Sequence, residues 1–219
     1  MASALDLQEQ EQLDNLKAFW AKWGNLITTL ATVVLLAFAG WNAWNWYQRE
    51  QGLKASVMYE AIEQAIEAKQ LDKAAPLMAE MQKQFAAMPY TTQATLVLAQ
   101  ASSAEKAQPL LEWAAAQGKP QDLRDLAQLR LAGLHLEAKR AAEAEKALAA
   151  IQSPAFEALV ADRRGDLALL AKDSAKARDQ YSKAYLGLDA ELPYRRLVEA
   201  KLMSVGVDPG TLVKPAEAK

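Results

Sequence analysis

Residues 164–189 read RGDLALLAKDSAKARDQYSKAYLGLD, and apolar residues in this stretch recur at the spacing of two helices joined by a short turn. Gly165 lies in the first segment, where a missing side chain lets two helices approach closely. Ala177, Tyr181 and Ala184 follow in the second segment and share one helix face. The stretch therefore predicts a helix–turn–helix unit in which the two helices cross near Ala177.

The spacing of the second segment, a small residue, then a large one, then a small or apolar one, also occurs upstream. Its first positions are Ala74, Ala107, Ala144 and Ala177, which are 33, 37 and 33 residues apart. A helix–turn–helix period near 34 residues with this signature is the tetratricopeptide pattern. We predict that the following residues pack the repeats together: Ala74, Met78, Ala107, Leu111, Ala144, Leu148, Gly165, Ala177, Tyr181 and Ala184.

These repeats predict an all-α domain at residues 48–206. One helix pair cannot bury its apolar stripe alone, so about four tetratricopeptide-like pairs are expected to stack into an α-solenoid with a shared core. The first helix of each pair should line a curved surface, and a last helix from Pro193 to about Val205 should cap the open end. Residues 207–219 have two prolines and no helical stripe, which predicts a flexible tail.

A hydrophobic stretch precedes the repeats. Residues 23–48 contain no charge, and five of the six tryptophans lie in residues 20–46. As a helix, residues 26–46 would be about 31 Å long, which matches the hydrocarbon core of a bilayer. Aromatic residues collect at both ends, as they do at membrane–water interfaces. We predict a transmembrane helix at residues 25–47, preceded by a segment at residues 1–24, with the anchor formed by Trp23, Leu26, Leu35, Leu36, Gly40, Trp41, Trp44 and Trp46.

This stretch leaves two questions open. Residues 37–39 read AFA, a small–x–small site after a run of signal-peptide length, and cleavage there would release a soluble protein that begins at Gly40. The long, acidic segment before the run favours an uncleaved anchor over a signal peptide or a helix buried in a soluble core. Two basic residues precede the span and two follow it closely, so the charge bias leaves the orientation open.

The composition argues against several classes of function. The chain has no cysteine, which excludes disulfides, thiolate nucleophiles and zinc–thiolate sites. Residues 49–219 carry 23 acidic and 23 basic residues, so the domain has no electrostatic footprint for nucleic acid. There is no phosphate loop, nucleophile elbow or dinucleotide-binding glycine motif. The sequence therefore predicts a protein that is not an enzyme and has no cofactor or metal.

Single reactive side chains have simple interpretations. His135 is the only histidine, and without partners at ligand spacing it is predicted to be a packed or half-exposed helical residue. The carboxylate pairs Glu143/Glu145 and Asp122/Asp125 are predicted to lie on solvated helix faces.

The DRRGD motif of residues 162–166 has two interpretations. It packs four charges around Gly165 and could serve as a docking patch. We favour the alternative, in which Arg163 and Arg164 pair locally with acidic residues while Gly165 permits contact between helices.

Four stretches together resemble one family: LKAFWAKWGN before the span, AGWNAW at its end, LRLAGLHLEAKRAAEAEKAL, and ALVADRRGDLALLAKDSAKAR. They resemble the YfgM family, the ancillary subunit of the SecYEG translocon in Gram-negative bacteria. The resemblance extends from about Asn15 to Val205. Its most specific part is the ADxRGD block followed by a degenerate tetratricopeptide unit.

The resemblance implies a single-pass inner-membrane protein with a cytoplasmic N-terminus and a periplasmic repeat domain. It also implies association with the SecYEG translocon and with PpiD, a membrane-anchored periplasmic folding factor. Members of the family are linked to the transfer of secreted proteins to periplasmic chaperones. The suggested orientation therefore comes from the resemblance and not from the charge bias.

Two classes of function follow from these features. The first is a membrane-anchored adaptor or chaperone-like protein that binds partner proteins and unfolded secretory clients. The second is an envelope assembly scaffold subunit whose solenoid is buried against a fixed partner. If the AFA site is cleaved, the chain is instead a soluble periplasmic tetratricopeptide protein.

Overall fold

The computed structural model describes residues 7–212, with side chains described from Glu11 onwards. Within this range the chain forms nine α-helices and no β-strand, which confirms the predicted all-α fold. Two short 3₁₀ helices lie at Pro154–Phe156 and Pro209–Thr211. The α-helices are α1 (Leu7–Glu67), α2 (Leu71–Gln84), α3 (Pro89–Ala101), α4 (Ala104–Gln117), α5 (Gln121–Glu137), α6 (Ala141–Ala149), α7 (Glu157–Leu170), α8 (Ser174–Gly187) and α9 (Pro193–Ser204).

Helix α1 contains the hydrophobic stretch and also the first helix of the repeats. The chain divides into two compact units, Met1–Gln51 and Gly52–Lys219, so the division lies inside α1 and close to the predicted boundary at residue 48. Residues 49–57 read REQGLKASV and contain no proline that would end a helix. Their single glycine costs a helix only about 1 kcal/mol.

The second unit is built from helix pairs that share apolar clusters. One cluster joins the C-terminal part of α1 with α2 and α3, and the next joins α3 through α7. Two smaller clusters join α7, α8 and α9. The pairs α1/α2, α3/α4, α5/α6 and α7/α8 form the four predicted repeats, and α9 follows the last pair.

Three of the four turns inside the pairs have the same geometry. Lys69, Lys139 and Lys172 each adopt a left-handed conformation, with φ of 57°, 57° and 61°. The amide of the next residue donates to a carbonyl five residues earlier, as in Arg140 N to His135 O at 2.7 Å. This is the Schellman arrangement that satisfies the last carbonyls of a helix. In the sequence, an Ala-Lys pair marks each of these three turns: Ala68-Lys69, Ala138-Lys139 and Ala171-Lys172.

The C-terminal end of the unit extends further than expected. Helix α9 takes the predicted capping position and buries Val198 and Leu202 completely. Val207 and Leu212 then pack against the α7–α9 cluster, and Pro209 is buried. Residues 207–212 therefore do not belong to a flexible tail, because they cover the apolar end of the stack. The rest of the predicted tail lies outside the described residues.

Candidate functional site

The predicted anchor residues all lie on α1 with their side chains open to the surroundings. Exposure ranges from 43% at Trp23 to 68% at Leu36 and Trp46, and a Cβ added at Gly40 would meet nothing within 4 Å. The most hydrophobic window of α1 has a mean hydropathy of 1.7 and is 0% buried. By length and composition this is a helix that could cross a membrane, since a soluble protein rarely exposes so continuous an apolar surface.

Polar groups within the anchor are satisfied by the helix itself. The hydroxyls of Thr28 and Thr32 donate to carbonyls four residues earlier at 2.8 Å, and Thr29 does so at 2.7 Å. Hydrocarbon offers no hydrogen-bond partner, so internal pairing of this kind removes the cost of placing hydroxyls in a bilayer. The three threonines are therefore compatible with a membrane span.

The predicted repeat-packing residues are buried without exception. Each of the nine that carries a side chain is between 0 and 4% exposed, and Gly165 is also buried. They lie on α2, α4, α6, α7 and α8, where the second helix of each pair meets its neighbours. Every second helix thus presents a small residue at the helix crossing and a larger one beside it.

The first helices frame a groove that opens on one face of the repeat unit. Residues of α3, α4 and α5, together with Arg163 of α7, line a volume of about 560 Å³. Its walls are mixed: apolar side chains alternate with the polar ones of Gln100, Ser102, Arg130, Glu137 and Arg163. Arg130 Nη1 donates to Leu96 O at 2.8 Å, so this cation also ties α5 to α3. A groove of this form can accept a peptide or a helix by shape and a few polar contacts.

The DRRGD motif forms an ionic cluster around one completely buried carboxylate, that of Asp162. Asp162 is 0% exposed and accepts hydrogen bonds from Lys201 Nζ at 2.8 Å and from the Tyr194 hydroxyl at 2.6 Å. Asp166 accepts from the same Lys201 Nζ at 2.7 Å and from the Tyr181 hydroxyl at 2.8 Å. The motif therefore links α7 to α8 and α9 through two carboxylates that share one ammonium group.

The arginines of the motif pair as the favoured interpretation expected. Arg163 Nη1 lies 3.2 Å from Asp166 Oδ2 on the same helix, and Arg164 Nη2 lies 3.0 Å from Glu145 Oε1 on α6. Burial, followed by the hydrogen bonds to the carboxylates, raises the pKa of both Tyr181 and Tyr194 well above 10. Both phenols therefore stay neutral and act as donors. Sequence reasoning missed Tyr194 and Lys201, which lie more than 30 positions from Asp162.

Of the two predicted carboxylate pairs, Asp122, Glu143 and Glu145 are exposed as expected, whereas the prediction was wrong for Asp125. Asp125 is 0% exposed and accepts from the backbone amides of Gln152 at 3.3 Å and Ser153 at 2.8 Å. It therefore holds the loop between α6 and α7 and does not lie on a solvated face. Thr92 has a similar role on α3, where its hydroxyl accepts from the amide of Lys119 at 2.8 Å.

Among the described residues there is no group of three or more acidic, histidine or cysteine side chains that could hold a metal ion. His135 is a packed residue on α5 with 9% exposure. The features that the described residues do form are the packed repeat surfaces and the groove between α3, α4 and α5.

Comparison with known proteins gives the same repeat architecture. The family described as "Tetratricopeptide repeat-like domain" matches residues 17–207. A protein of Escherichia coli (strain K12) named "Ancillary SecYEG translocon subunit" is 29% identical over 180 residues, which cover 79% of this chain and 85% of the relative. A protein of the same name from Neisseria gonorrhoeae (strain ATCC 700825 / FA 1090) is 26% identical and covers 92% of this chain and 99% of the relative.

A third protein of that name, from Haemophilus influenzae (strain ATCC 51907 / DSM 11121 / KW20 / Rd), is 23% identical over 83% of this chain and 90% of its own length. No solved structure is significantly similar to the chain. The three relatives carry the name that the sequence resemblance predicted, which confirms that resemblance.

Proposed function

Because this chain belongs to the tetratricopeptide repeat-like family, we propose that it is a membrane-anchored adaptor, ancillary to the Sec translocon. The observation that carries the proposal is the similarity to three proteins named "Ancillary SecYEG translocon subunit" over 79 to 92% of the chain. The exposed apolar part of α1 supports a single-pass anchor in the inner membrane. The match of the repeat domain to a protein-interaction fold supports a role in binding rather than in chemistry.

In this proposal the anchor holds the protein at the membrane, and the repeats bind partner proteins. A tethered binding domain meets its partners at a high effective concentration, so weak contacts are sufficient. The groove between α3, α4 and α5 offers apolar and polar side chains to an extended or helical segment. Such a surface can bind briefly and release, as the transfer of a client requires.

The finer proposal places residues 1–24 in the cytoplasm and the repeat domain in the periplasm. There the domain would contact a PpiD-type folding factor and unfolded secretory clients, and it would help to pass translocated proteins to folding factors. A long domain can be translocated largely regardless of the charges near its anchor. The nearly level distribution of basic residues around the span is therefore compatible with this orientation.

The test replaces residues 25–47 with a leucine–alanine span of equal length, so that the protein stays in the membrane. We expect co-purification with the translocon to be lost or strongly reduced, because the natural span then no longer packs beside partner helices. A second variant reverses the order of residues 31–36 and keeps the composition. It should also reduce recovery if partner helices contact this part of the span. Undiminished recovery of the translocon with the leucine–alanine variant would show that the anchor only provides location.

Site-specific crosslinking separates the adaptor from the scaffold. Photoreactive probes at exposed positions on α3, α5 and α7 should capture nascent secretory chains if the protein is an adaptor. Capture of one fixed partner alone would favour an assembly scaffold. The mature N-terminus, read by mass spectrometry, decides the remaining alternative, because a chain that begins at Gly40 would be a free periplasmic protein.

A further inference from the structure

The groove between α3, α4 and α5 opens beside the shortest turn inside a helix pair. Helices α3 and α4 are separated by Ser102 and Ser103 alone, whereas the turns inside the other three pairs have three residues each. The C-terminal half of α5 lines the groove with Arg130, Gly133 and Glu137. These three residues lie on one face of the helix, because they are spaced by three and four positions.

Arg130 has no acidic partner in the part of the chain that the structure describes. Its Nη1 donates to the neutral carbonyl of Leu96 at 2.8 Å, and no carboxylate forms an ion pair with it there. Burial alone lowers the pKa of Arg130, so no nearby carboxylate offsets the loss of hydration. An anion that enters the groove would supply the missing charge.

The fourth repeat shows which group the third repeat lacks. Arg163 and Arg130 hold the same position, since each lies nine residues before the left-handed lysine of its turn. Arg163 Nη1 lies 3.2 Å from Asp166 Oδ2, three residues further on. The third repeat has Gly133 at the position of Asp166, and a Cβ added there would meet nothing within 4 Å. The carboxylate is therefore missing from the chain, and the space beside Arg130 is open.

The other end of the groove carries the opposite charge. Glu137 is exposed and forms no ion pair within the described residues. It lies two helical turns after Arg130, about 10.5 Å along the axis. Arg163 also lines the groove, but Asp162 and Asp166 already pair with it. The charges that remain for a partner are one cation and one anion at a fixed separation.

This separation and the small residues of the groove favour a helical partner. Positions seven apart on a helix share a face and are also about 10.5 Å apart, whereas side chains of an extended strand change sides every 3.3 Å or so. Ala104 and Ala107 of α4 line the groove together with Gly133, so a second backbone can approach closely. A helix with one acidic and one basic residue, seven positions apart, therefore complements both charges.

We propose that this groove binds a helix of a partner protein, with an acidic side chain of that helix at Arg130 and a basic side chain, seven positions away, at Glu137. The inference rests on the proposed adaptor function and describes the chemistry of a segment that the adaptor recognises.

The experiment titrates the full-length chain in detergent micelles against fluorescently labelled helical peptides and measures fluorescence anisotropy. The first peptide carries glutamate and lysine seven positions apart, and the second has the same composition with the two charges five positions apart, on different faces. Empty micelles give the background. We expect the first peptide to bind about tenfold more tightly, because the second engages only one charge of the groove and loses one charge-assisted hydrogen bond.

A charge reversal at the exposed end localises the contact. Glu137→Lys should weaken binding of the first peptide about threefold, and it should strengthen binding of a third peptide in which glutamate replaces the lysine. The matched control is Glu67→Lys, because Glu67 is exposed and holds the same position before Lys69 as Glu137 holds before Lys139. This control should change neither affinity.

A bulky side chain in the groove provides a second, independent test. Gly133→Phe places a ring where an added Cβ meets no other atom of the chain, so the variant should keep its fold, as judged by circular dichroism. Binding of all three peptides should fall to the background of empty micelles, because the ring occupies the space of the partner helix.

The outcomes separate this inference from the adaptor function on which it rests. Equal affinity for the first two peptides, or no binding of either to the natural chain, would overturn the inference. Undiminished binding to a folded Gly133→Phe chain would also overturn it. A natural chain that recovers the translocon but binds no peptide keeps the adaptor function and loses only the helix-binding groove.

Discussion

Gly165 and Gly133 lie in neighbouring first helices but have opposite surroundings. An ideal Cβ on Gly165 would lie 2.3 Å from Cε1 of Tyr181, which is itself fixed by Asp166. A Cβ on Gly133 would meet nothing within 4 Å. We therefore expect Gly165→Ala to lower the free energy of unfolding by about 1–3 kcal/mol through overpacking. Gly133→Ala should raise it by about 0.5–1 kcal/mol, because alanine loses less entropy in a helix.

The measurement is urea unfolding of both variants in micelles, followed by circular dichroism. The pair shares one chemical change, so general effects of the added methyl group cancel in the comparison. If the free energy of unfolding changes in the same direction in both variants, the close approach of α7 and α8 at Gly165 does not determine the effect of the added methyl group.

Burial of His135 makes a prediction about pH. Its pKa in the folded chain lies below the ordinary value of 6.5, chiefly because burial disfavours the charged ring. Below that ordinary value the unfolded chain binds more protons than the folded chain, so the free energy of unfolding falls as the pH drops through the lowered pKa. His135→Ala should remove this part of the loss. The measurement is the free energy of unfolding of the natural chain and of His135→Ala at about pH 7.5 and about pH 5 in chloride buffer. An equal decrease in both chains would contradict the prediction.

At the scale of elements, a substitution in the turns inside the helix pairs can raise the stability of the repeat domain. Lys172 holds a left-handed conformation with φ of 61°, which costs a residue with a Cβ about 1–2 kcal/mol relative to glycine. Lys172→Gly should therefore raise the free energy of unfolding by about 1 kcal/mol. Lys183→Gly, inside α8, should lower it by a similar amount. The same urea titration checks both, and a loss of stability in Lys172→Gly would refute the role given to this turn.

Helix α9 is held by the ionic cluster as well as by apolar contacts. Lys201 Nζ donates hydrogen bonds to both Asp162 and Asp166, and Asp162 is completely buried. Lys201→Met leaves Arg163 as the one remaining cation that the structure shows in contact with both carboxylates. Because Asp162 is buried, we expect a cost at the lower end of that of a broken buried pair, about 3 kcal/mol. Hydrogen exchange should show loss of protection in α9 before α3 or α5. The control is Lys183→Met, whose ion pair with Asp179 is exposed and whose loss should cost less than about 1 kcal/mol.

The elements also show what a sequence of this kind reveals. Helices, repeat period and packing positions could be predicted because they depend on residues close together along the chain, as in Ala177, Tyr181 and Ala184. The partners of Asp162 and Asp125 could not, because Lys201 and Ser153 are brought close only by the stacking of separate helices. In the sequence, a charged residue at a given helical spacing looks the same whether its side chain is exposed to solvent or buried between stacked helices.

At the scale of the whole molecule, the predicted anchor and the repeat domain belong to separate compact units. The anchor could be recognised from the sequence because hydrophobicity over some 20 residues is a direct requirement of the bilayer. The groove residues could not be assigned to a partner from the sequence, because shape complementarity belongs to both molecules. The orientation across the membrane is the property that connects the two units to one proposed function.

The absence of cysteine makes the orientation directly measurable. Gln12→Cys and Ser174→Cys each introduce one thiol at an exposed position, before the anchor and in the repeat domain respectively. With a periplasmic repeat domain, a membrane-impermeant maleimide should label Ser174→Cys in intact spheroplasts, while Gln12→Cys reacts only after lysis. The reverse pattern would place the repeat domain in the cytoplasm, where it could not receive translocated chains. The adaptor would then have to act before translocation, and the proposed transfer to periplasmic folding factors would fail.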